Sequence, residues 1–430
     1  MCSWEQTQHI WPRLWRARRK TGNKLNMRFS MKDYIGRNPI KTEKRTNNRR
    51  GLRLTAGLVA VACAPLLALA DEDGGGRYVQ TNLVSDQAGM ALLQDTNLVN
   101  AWGISAGPAT PFWVSDNGSG LSTLYAVTYD SSGVVQVAKQ GLEVAIPGEG
   151  TPTGQLFDGT GSFKGDIFIF ASEDGTISGW RGSLGTSAEV LVPGGSAVYK
   201  GIALTTTMHG PTLLAANFAN GTLDEFDTNL VMFGQLKDMR APKGYAPFNV
   251  QNLNGMVFVT FAKQNEAKHD DVPGRGHGLI DILDPMTGKF HRFATGSAAG
   301  GHLHEINSPW GLAIAPSGFG AKEDKLLVGN FGSGTIMAFE ADGDLQGLLR
   351  DVNGGPIVID GLWGLKFGND GKGGRSQTLY FSAGPNGESH GLFGALDPAA
   401  AQNNHDGGDN HDGRDGGNGD NRDGHHGDRN

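Results

Sequence analysis

Apolar residues after residue 77 occur in short β-rich runs separated by turn residues, and no long amphipathic helical pattern is present. Six segments share a glycine followed by five residues that end in a large apolar side chain. They are Gly120-LSTLY, Gly175-TISGW, Gly221-TLDEF, Gly278-LIDIL, Gly334-TIMAF and Gly391-LFGAL. Their glycines are 55, 46, 57, 56 and 57 residues apart. Repetition at this period indicates stacked copies of one small β-unit.

Two further apolar runs precede each of these segments. The nearer runs are PFWVSD (111–116), DIFIFAS (166–172), TLLAAN (212–217), MVFVTFAK (256–263), KLLVGN (325–330) and TLYFSAG (378–384). The farther runs are AWGIS (101–105), TGQLF (153–157), YKGIAL (199–204), APFNV (246–250), PWGLAIA (309–315) and LWGLKF (362–367). Segments between units supply a fourth strand, and four strands in roughly 50 residues make one propeller blade. Residues 78–396 are therefore predicted to form an all-β, six-bladed β-propeller with four-stranded blades.

The ends of the repeat predict how the ring closes. The last unit stops after its third strand, at Leu396, whereas an extra β-rich run, residues 78–85, precedes the first unit. This N-terminal strand is expected to complete the last blade, which joins the termini and removes an exposed edge.

Residues 1–70 have the layout of a basic leader with a signal peptide. They hold 15 Lys or Arg against 3 Asp or Glu, and both cysteines, Cys2 and Cys63, lie there. An apolar segment, 54–70, ends in Ala-Leu-Ala, so cleavage is expected near Ala70, before a polar linker at 71–77. The mature chain is predicted to be secreted or periplasmic, without a transmembrane segment.

Charge and composition narrow the partners of the mature chain. After residue 70 it holds 22 basic against 41 acidic residues, which disfavours nucleic acid because phosphates are repelled. Residues 397–430 are rich in Asp, Gly, His and Asn and are predicted to be a disordered tail. The expected partner is a small molecule, a glycan or an envelope protein, and the expected state is a monomer.

A site is predicted at the mouth of the central channel, where loops after the second strands converge. The candidate ligand-binding residues are Asp116, Glu173, Asn217, Lys263, Asn330, Asn386 and His390, with Glu388 beside them. Within this set, Glu173, Asn217, Asn330 and Asp116 offer oxygen ligands for Ca²⁺. Ordinary turn hydrogen bonding is the alternative, above all for Asn386, which precedes a glycine.

Other residues are open to two interpretations each. Trp102, Trp310 and Trp363 each precede a glycine in a first strand, so they could present rings to a sugar or pack between blades. The long polar loop after Lys263 carries His269, Asp270, Asp271 and His277, which fit metal or acid–base chemistry or a solvated lid. His302 and His304 lie in another connection, which we expect to be exposed.

Several runs together resemble a family of uncharacterised exported bacterial propeller proteins, some of which occur alongside the PEP-CTERM sorting system. The runs include NLVNAWGIS, FWVSDNGSGLSTLY, AANFANGT, FAKQNEAKHDD, NSPWGLA and VGNFGSGTI. The resemblance implies a propeller and an extracytoplasmic location, and it brings no activity with it. The chain departs from anchored members, because its polar tail lacks a Pro-Glu-Pro motif and an apolar helix.

The strand layout is also similar, more distantly, to NHL-repeat and gluconolactonase-type propellers. Those lactonases hold a divalent cation with Glu, Asn and Asp, which implies Glu173, Asn217 and Asn330 as counterparts here. The sequence therefore leaves two functions open. The first is a binding or scaffold module for an envelope or extracellular ligand, and the second is a Ca²⁺-dependent hydrolase of lactonase type.

Overall fold

Six sheets make up the fold; five are built around consecutive antiparallel strands, and the sixth combines the last strands with the N-terminal one. The computed structural model describes residues 76–296 and 305–399. The strands are, in chain order, β1 (Arg77–Ser85), β2 (Leu93–Gln94), β3 (Ala101–Ser105), β4 (Phe112–Asp116), β5 (Leu121–Tyr129), β6 (Val135–Lys139), β7 (Val144–Ala145), β8 (Pro152–Phe157), β9 (Phe168–Ser172), β10 (Ile177–Trp180), β11 (Glu189–Val192), β12 (Tyr199–Thr207), β13 (Gly210–Asn217), β14 (Thr222–Phe226), β15 (Met232–Leu236), β16 (Tyr245–Leu253), β17 (Met256–Lys263), β18 (Gly278–Asp284), β19 (Lys289–Thr295), β20 (Pro309–Ile314), β21 (Leu326–Asn330), β22 (Ile336–Phe339), β23 (Leu345–Leu348), β24 (Arg350–Asp351), β25 (Leu362–Phe367), β26 (Leu379–Ala383) and β27 (Leu392–Pro398). Within these described ranges, three short 3₁₀ helices lie at Phe163–Gly165, Gly182–Leu184 and Gly320–Lys322.

The strand order confirms the six-bladed propeller. Blades one to five contain β3–β6, β8–β11, β12–β15, β16–β19 and β20–β23, each as a four-stranded antiparallel meander. Blade six has the order β25-β26-β27-β1, so the N-terminal strand is its outermost long strand. Gln80 pairs with Leu396 and Ser85 pairs with Leu392 in this closure. The predicted closure of the ring by residues 78–85 is therefore confirmed.

The first strand of every blade carries a bulge at the same place. In blade one, Ala101 pairs with Asp116 and Ile104 pairs with Val114, which leaves one extra residue on the first strand. Equivalent register shifts occur in the first strands of the other five blades. A bulge turns side chains out of the regular alternation. In this propeller the bulge directs the side chain of its first unpaired residue, such as Trp102, towards the channel.

Apolar clusters between neighbouring blades hold the ring together. Between blades three and four, for example, Leu214 and Leu223 pack in one cluster with Val257, Phe261 and Leu283. All five are essentially buried. Each large apolar side chain contributes about 1.5–3 kcal/mol when fully buried. The stability of the ring therefore comes from contacts that no blade could make alone.

A buried acid in blade four should make stability depend on pH. Burial raises the pKa of Asp281 to about 6, against the opposing charge of Arg292, whose Nε is 2.5 Å from Asp281 Oδ1. A folded pKa above the unfolded value means that the native state keeps a proton that the unfolded chain releases. Stability contributed by this group is therefore present at low pH and falls as pH rises from about 4 to 6.

Between pH 4 and 7 the native chain should lose about 2 kcal/mol of stability through the ionisation of Asp281. We expect this loss to be absent in Asp281→Asn, because its amide does not titrate. The measurement is urea unfolding at closely spaced pH values, with Glu266→Gln in an exposed loop as the control. An unchanged pH profile in Asp281→Asn would contradict the assignment.

The remaining sequence predictions concern other parts of the chain. The leader, its cleavage near Ala70, most of the 71–77 linker and the polar tail beyond residue 399 lie outside the described residues, as do His302 and His304. In the described ranges, no helix has the length and apolar character needed to cross a membrane.

Candidate functional site

Two rings of residues surround the channel axis, and the first lies at its mouth. The backbone N–H that follows a second strand donates to the carbonyl that precedes the first strand of the same blade. These bonds run from Asn117 to Asn100, Glu173 to Thr151, Phe218 to Val198, Phe331 to Ser308 and Gly384 to Gly361, at 2.8–3.1 Å. In blade four, Ala262 pairs with Ala246 at the same place. The mouth ring therefore consists of Asn117, Glu173, Phe218, Ala262, Phe331 and Gly384.

The second ring lies one step further along the first strands, at the bulges. It consists of Trp102, Thr153, Lys200, Phe248, Trp310 and Trp363. Trp102 and Trp363 stack with ring centroids 3.7 Å apart, and Phe331 stacks on the other side of Trp363 at 3.8 Å. The three tryptophans are 1–4% exposed. Their aromatic rings pack between blades and do not face solvent. The second ring of residues, called the inner ring from here on, therefore fills the channel below its mouth.

A chain of polar contacts crosses the mouth. Trp363 Nε1 donates to Asn100 Oδ1 at 3.0 Å, and Asn100 Nδ2 donates to Glu388 Oε2 at 2.7 Å and to Asn117 Oδ1 at 3.2 Å. Asn117 Nδ2 then donates to Glu173 Oε2 at 2.9 Å. Elements of blades six, one and two are thus connected through side chains alone. Such a connected network fixes the orientation of each group in it.

The side chains of Glu388, Asn100, Asn117 and Glu173 form a polar arc, and Lys200 extends this arc to blade three. Its ammonium donates to Glu173 Oε1 and lies 3.4 Å from Asp270 Oδ1. It also lies 5.1 Å from the centroid of the Trp102 ring. The side chain is only 2% exposed. A buried ammonium is costly unless it is paired, and the carboxylate of Glu173 supplies that pairing.

The loop after β17 brings two further groups to the mouth. Asp270 Oδ1 lies 2.8 Å from His269 Nδ1, and the two side chains are 60% and 46% exposed. The loop closes on itself because Asn265 N–H donates to the carbonyl of Asp270 at 2.8 Å. One ligand atom from each of Glu173, His269 and Asp270 lies within 4.8 Å of the others. The structure thus unites a strand-end carboxylate with two loop residues that are distant in sequence.

The electrostatic balance at the mouth is negative. Burial raises the pKa of Glu388, and the carboxylates of Glu173 and Asp270 raise it further, against the pull of Lys200. Burial likewise raises the pKa of Asp271, the next residue of the loop. Among the described residues, carboxylates around Lys200 outnumber cations. A cation or a hydrogen-bond donor is favoured there over an anion.

Three predicted site residues lie inside their own blades instead. Asn217 donates to Asp224 Oδ2 at 2.8 Å, and Asn330 accepts from the Asn307 N–H at 3.0 Å. Asp116 accepts from the Thr123 N–H at 3.0 Å, and burial raises its pKa well above the usual range. All three are at most 1% exposed. The structure therefore does not bring Asp116, Asn217 and Asn330 together with Glu173 in the calcium site implied by the lactonase resemblance.

The other candidates are also accounted for by local contacts. Lys263 ends β17, and its carbonyl accepts from the Val272 N–H at 2.8 Å. Asn386 lies in an exposed turn with φ 56°, and its side chain donates to Ser389 Oγ at 3.0 Å. His390 Nδ1 contacts Asp86 Oδ2 at 2.7 Å, beside the outer strand of blade six. His277 Nδ1 contacts the Val272 carbonyl at 2.8 Å within its own loop.

Sequence reasoning missed Asn100, Asn117 and Lys200. The signal for Lys200 was present, because Tyr199-Lys-Gly aligns with the Trp-Gly dipeptides at Trp102, Trp310 and Trp363. Lys200 is therefore the blade-three counterpart of those tryptophans. Asn117 follows the strand-end residue Asp116, so an alignment shifted by one residue would have found it.

A small cavity and a shallower cleft lie at different places in the described part of the chain. A cavity of about 20 Å³ lies against the inner ring at Trp310 and is lined by Gln155, Asn249 and Gln251. This volume suits a single water molecule. A shallower cleft of about 470 Å³ lies between blades one and six, beside Tyr129 and Arg375. The cleft is lined by residues outside the polar arc.

Comparisons with known proteins assign no activity to the chain. No family model matches the chain. The uncharacterised protein R648 of Acanthamoeba polyphaga mimivirus is 28% identical over 304 residues, 66% of this chain and 72% of the viral protein. The uncharacterised protein L690 of the same virus is 27% identical over 337 residues, 73% and 84% of the two chains. The link to exported bacterial proteins and PEP-CTERM sorting therefore stays a prediction.

Solved structures show only distant likeness. Virginiamycin B lyase from Staphylococcus aureus is 11% identical with a TM-score of 0.42, over 75% of this chain and 99% of the lyase. The WD40 propeller domain of Doa1 is 11% identical with a TM-score of 0.39, over 75% and 96% of the two chains. At this level neither likeness bears on activity.

Proposed function

We propose that the chain is an exported binding propeller that takes a hydroxyl-rich ligand, neutral or amine-bearing, at the mouth of its channel. The observation that carries the proposal is the polar arc from Glu388 through Asn100, Asn117 and Glu173 to Lys200 and Asp270. This arc holds accessible carboxylates in fixed positions beside a half-buried ring, Phe331. Export is proposed from the leader and its apolar segment.

The chemistry of the arc favours a saccharide over other small ligands. Carboxylates accept hydrogen bonds from hydroxyl and ammonium groups, and an aromatic ring at the floor can pack against the apolar face of a sugar. The excess of carboxylates disfavours acidic ligands such as uronates. The filled channel confines a ligand to the mouth, so the contact surface is shallow.

A metal-dependent hydrolase is the second candidate, and the grouping of Glu173, His269 and Asp270 is the observation in its favour. A hydrolytic metal needs protein ligands and an open position for water or substrate. The Lys200 ammonium contacts both carboxylates of this group, so a metal ion there would lie beside a fixed positive charge. We therefore place binding ahead of hydrolysis.

Titration with three hexasaccharides of matched length tests the proposal. We expect a chitosan hexamer to bind most tightly, a chitin hexamer more weakly and an oligogalacturonate hexamer not at all, because ligand charge changes from positive to negative across the series. Isothermal titration calorimetry at 20 mM and 300 mM salt measures the order and its screening.

Asp270→Asn should weaken chitosan binding about tenfold, whereas Asp344→Asn, in the turn between β22 and β23 at the other end of the blade, should not. Tightest binding of the oligogalacturonate, or equal loss in the two variants, would refute the assignment of the ligand to the mouth.

A further inference from the structure

The inner ring contains two residues that are not aromatic, Thr153 in blade two and Lys200 in blade three, and of these two only Lys200 carries a charge. Blades one, five and six place tryptophan at this position, and blade four places phenylalanine. Blade three places Lys200 there, with its side chain 2% exposed and its carbonyl accepting from Trp310 Nε1 at 2.9 Å. The strand backbone is thus fixed beneath the mouth, and the long side chain can only extend towards Glu173.

The groups around the Lys200 ammonium have the spacing of metal ligands. Two ligand atoms on opposite sides of one ion, at about 2.1–2.4 Å from it, are at most about 4.8 Å apart. The atoms of Glu173, His269 and Asp270 fall within this limit. Their donor set of one imidazole nitrogen and two carboxylate oxygens suits Zn²⁺ or Mn²⁺ better than Ca²⁺, which prefers oxygen ligands.

We propose that the ammonium of Lys200 stands in the place of a divalent cation, and that Glu173, His269 and Asp270 bind such a cation once the ammonium is removed. With Lys200 present, its buried ammonium contacts both carboxylates, and a divalent ion placed at the same point is repelled by that charge. The native mouth is therefore independent of metal. This inference does not depend on the nature of the natural ligand.

Metal titration of the whole chain tests the proposal. Lys200→Met replaces the ammonium with an apolar group of similar length, and we expect at least tenfold tighter binding of Mn²⁺ than in the native chain. Lys200→Gln is the second variant, because its amide can still donate to Glu173 if the methionine variant does not fold. The His- and Asp-containing tail is identical in all the chains, so its contribution cancels in the comparison.

The control is Lys200→Met combined with Asp270→Asn, which removes a ligand and leaves one fewer unpaired carboxylate. This chain should fold and lose the gain in Mn²⁺ affinity. Thermal melting supplies a second readout, because Mn²⁺ should raise the melting temperature of Lys200→Met and leave that of the native chain unchanged.

Each outcome of the Mn²⁺ titration supports or contradicts the proposal that Lys200 occupies the place of a divalent cation. Tight Mn²⁺ binding by the native chain that Asp270→Asn abolishes would show that Lys200 does not hold the place of the ion. Folded Lys200→Gln or Lys200→Met without any gain over the native chain would overturn the proposal. Failure of saccharide binding in the earlier experiment would leave these metal measurements unaffected.

Discussion

Trp363→Ala is expected to destabilise the propeller by about 3–5 kcal/mol, as for other fully buried tryptophans. The ring of Trp363 lies between Trp102 and Phe331, with centroids 3.7 and 3.8 Å away, and is 1% exposed. Its removal leaves a cavity at the axis, where side chains from several blades meet. Urea unfolding followed by circular dichroism measures the loss.

Trp363→Phe separates packing from hydrogen bonding at this position. Phenylalanine can keep a stacked ring but has no N–H for Asn100 Oδ1, which then loses the partner now at 3.0 Å. A buried acceptor left unpaired costs about 1–3 kcal/mol. Because Asn100 also holds Asn117 and Glu388, saccharide binding should weaken in this variant as well. Stability loss in Trp363→Ala below 1 kcal/mol would mean that the aromatic ring is dispensable.

The fold was predictable because the signal for it is repeated. Glycines at intervals of 46–57 residues, each preceded by two apolar runs and followed by a third, give the strands of a blade and the number of blades. The order of strands in each blade then follows from the short connections. Even the closure by β1 was visible, because the last unit lacks a strand that the first residues supply.

The site was only partly predictable, because side-chain direction changes within one residue at the end of each second strand. Asp116 and Asn117 are neighbours, yet the first hydrogen-bonds Thr123 inside blade one and the second reaches Glu173 in blade two. Glu173 was found because it already follows Ser172, the true counterpart of Asp116. A repeat in sequence locates the strand end, and the bulge decides which residue faces the channel.

Interactions between blades could not be derived from the repeat. Glu173 and Asp270 are joined through Lys200, and the three residues come from blades two, four and three. Nothing in a single blade requires these residue types together. Pairing across blades depends on how the sheets are placed around the axis, and this placement is a tertiary property that turn and strand patterns do not carry.

The blades approach each other so closely at the axis that the positions following the inner ring are glycine in five of the six blades. These glycines are Gly103, Gly154, Gly201, Gly311 and Gly364, with Asn249 in blade four. A Cβ atom on Gly154 would lie 2.7 Å from Gly201 Cα and 2.9 Å from the Ile202 nitrogen. Real Cβ atoms essentially never approach backbone this closely, and backbone cannot rotate aside as a side chain can.

Gly154→Ala is therefore expected to destabilise the propeller by about 3 kcal/mol, at the upper end of the usual range for overpacking. The control is Gly141→Ala, because a Cβ atom there meets nothing within 4 Å. The urea midpoint for unfolding of Gly141→Ala should be nearly the same as that of the native chain. Equal midpoints for the two variants would contradict the direct contact of first strands around the axis. A large loss confined to Gly154→Ala requires blades two and three to touch through their backbones, which is the contact that places Lys200 beside Glu173.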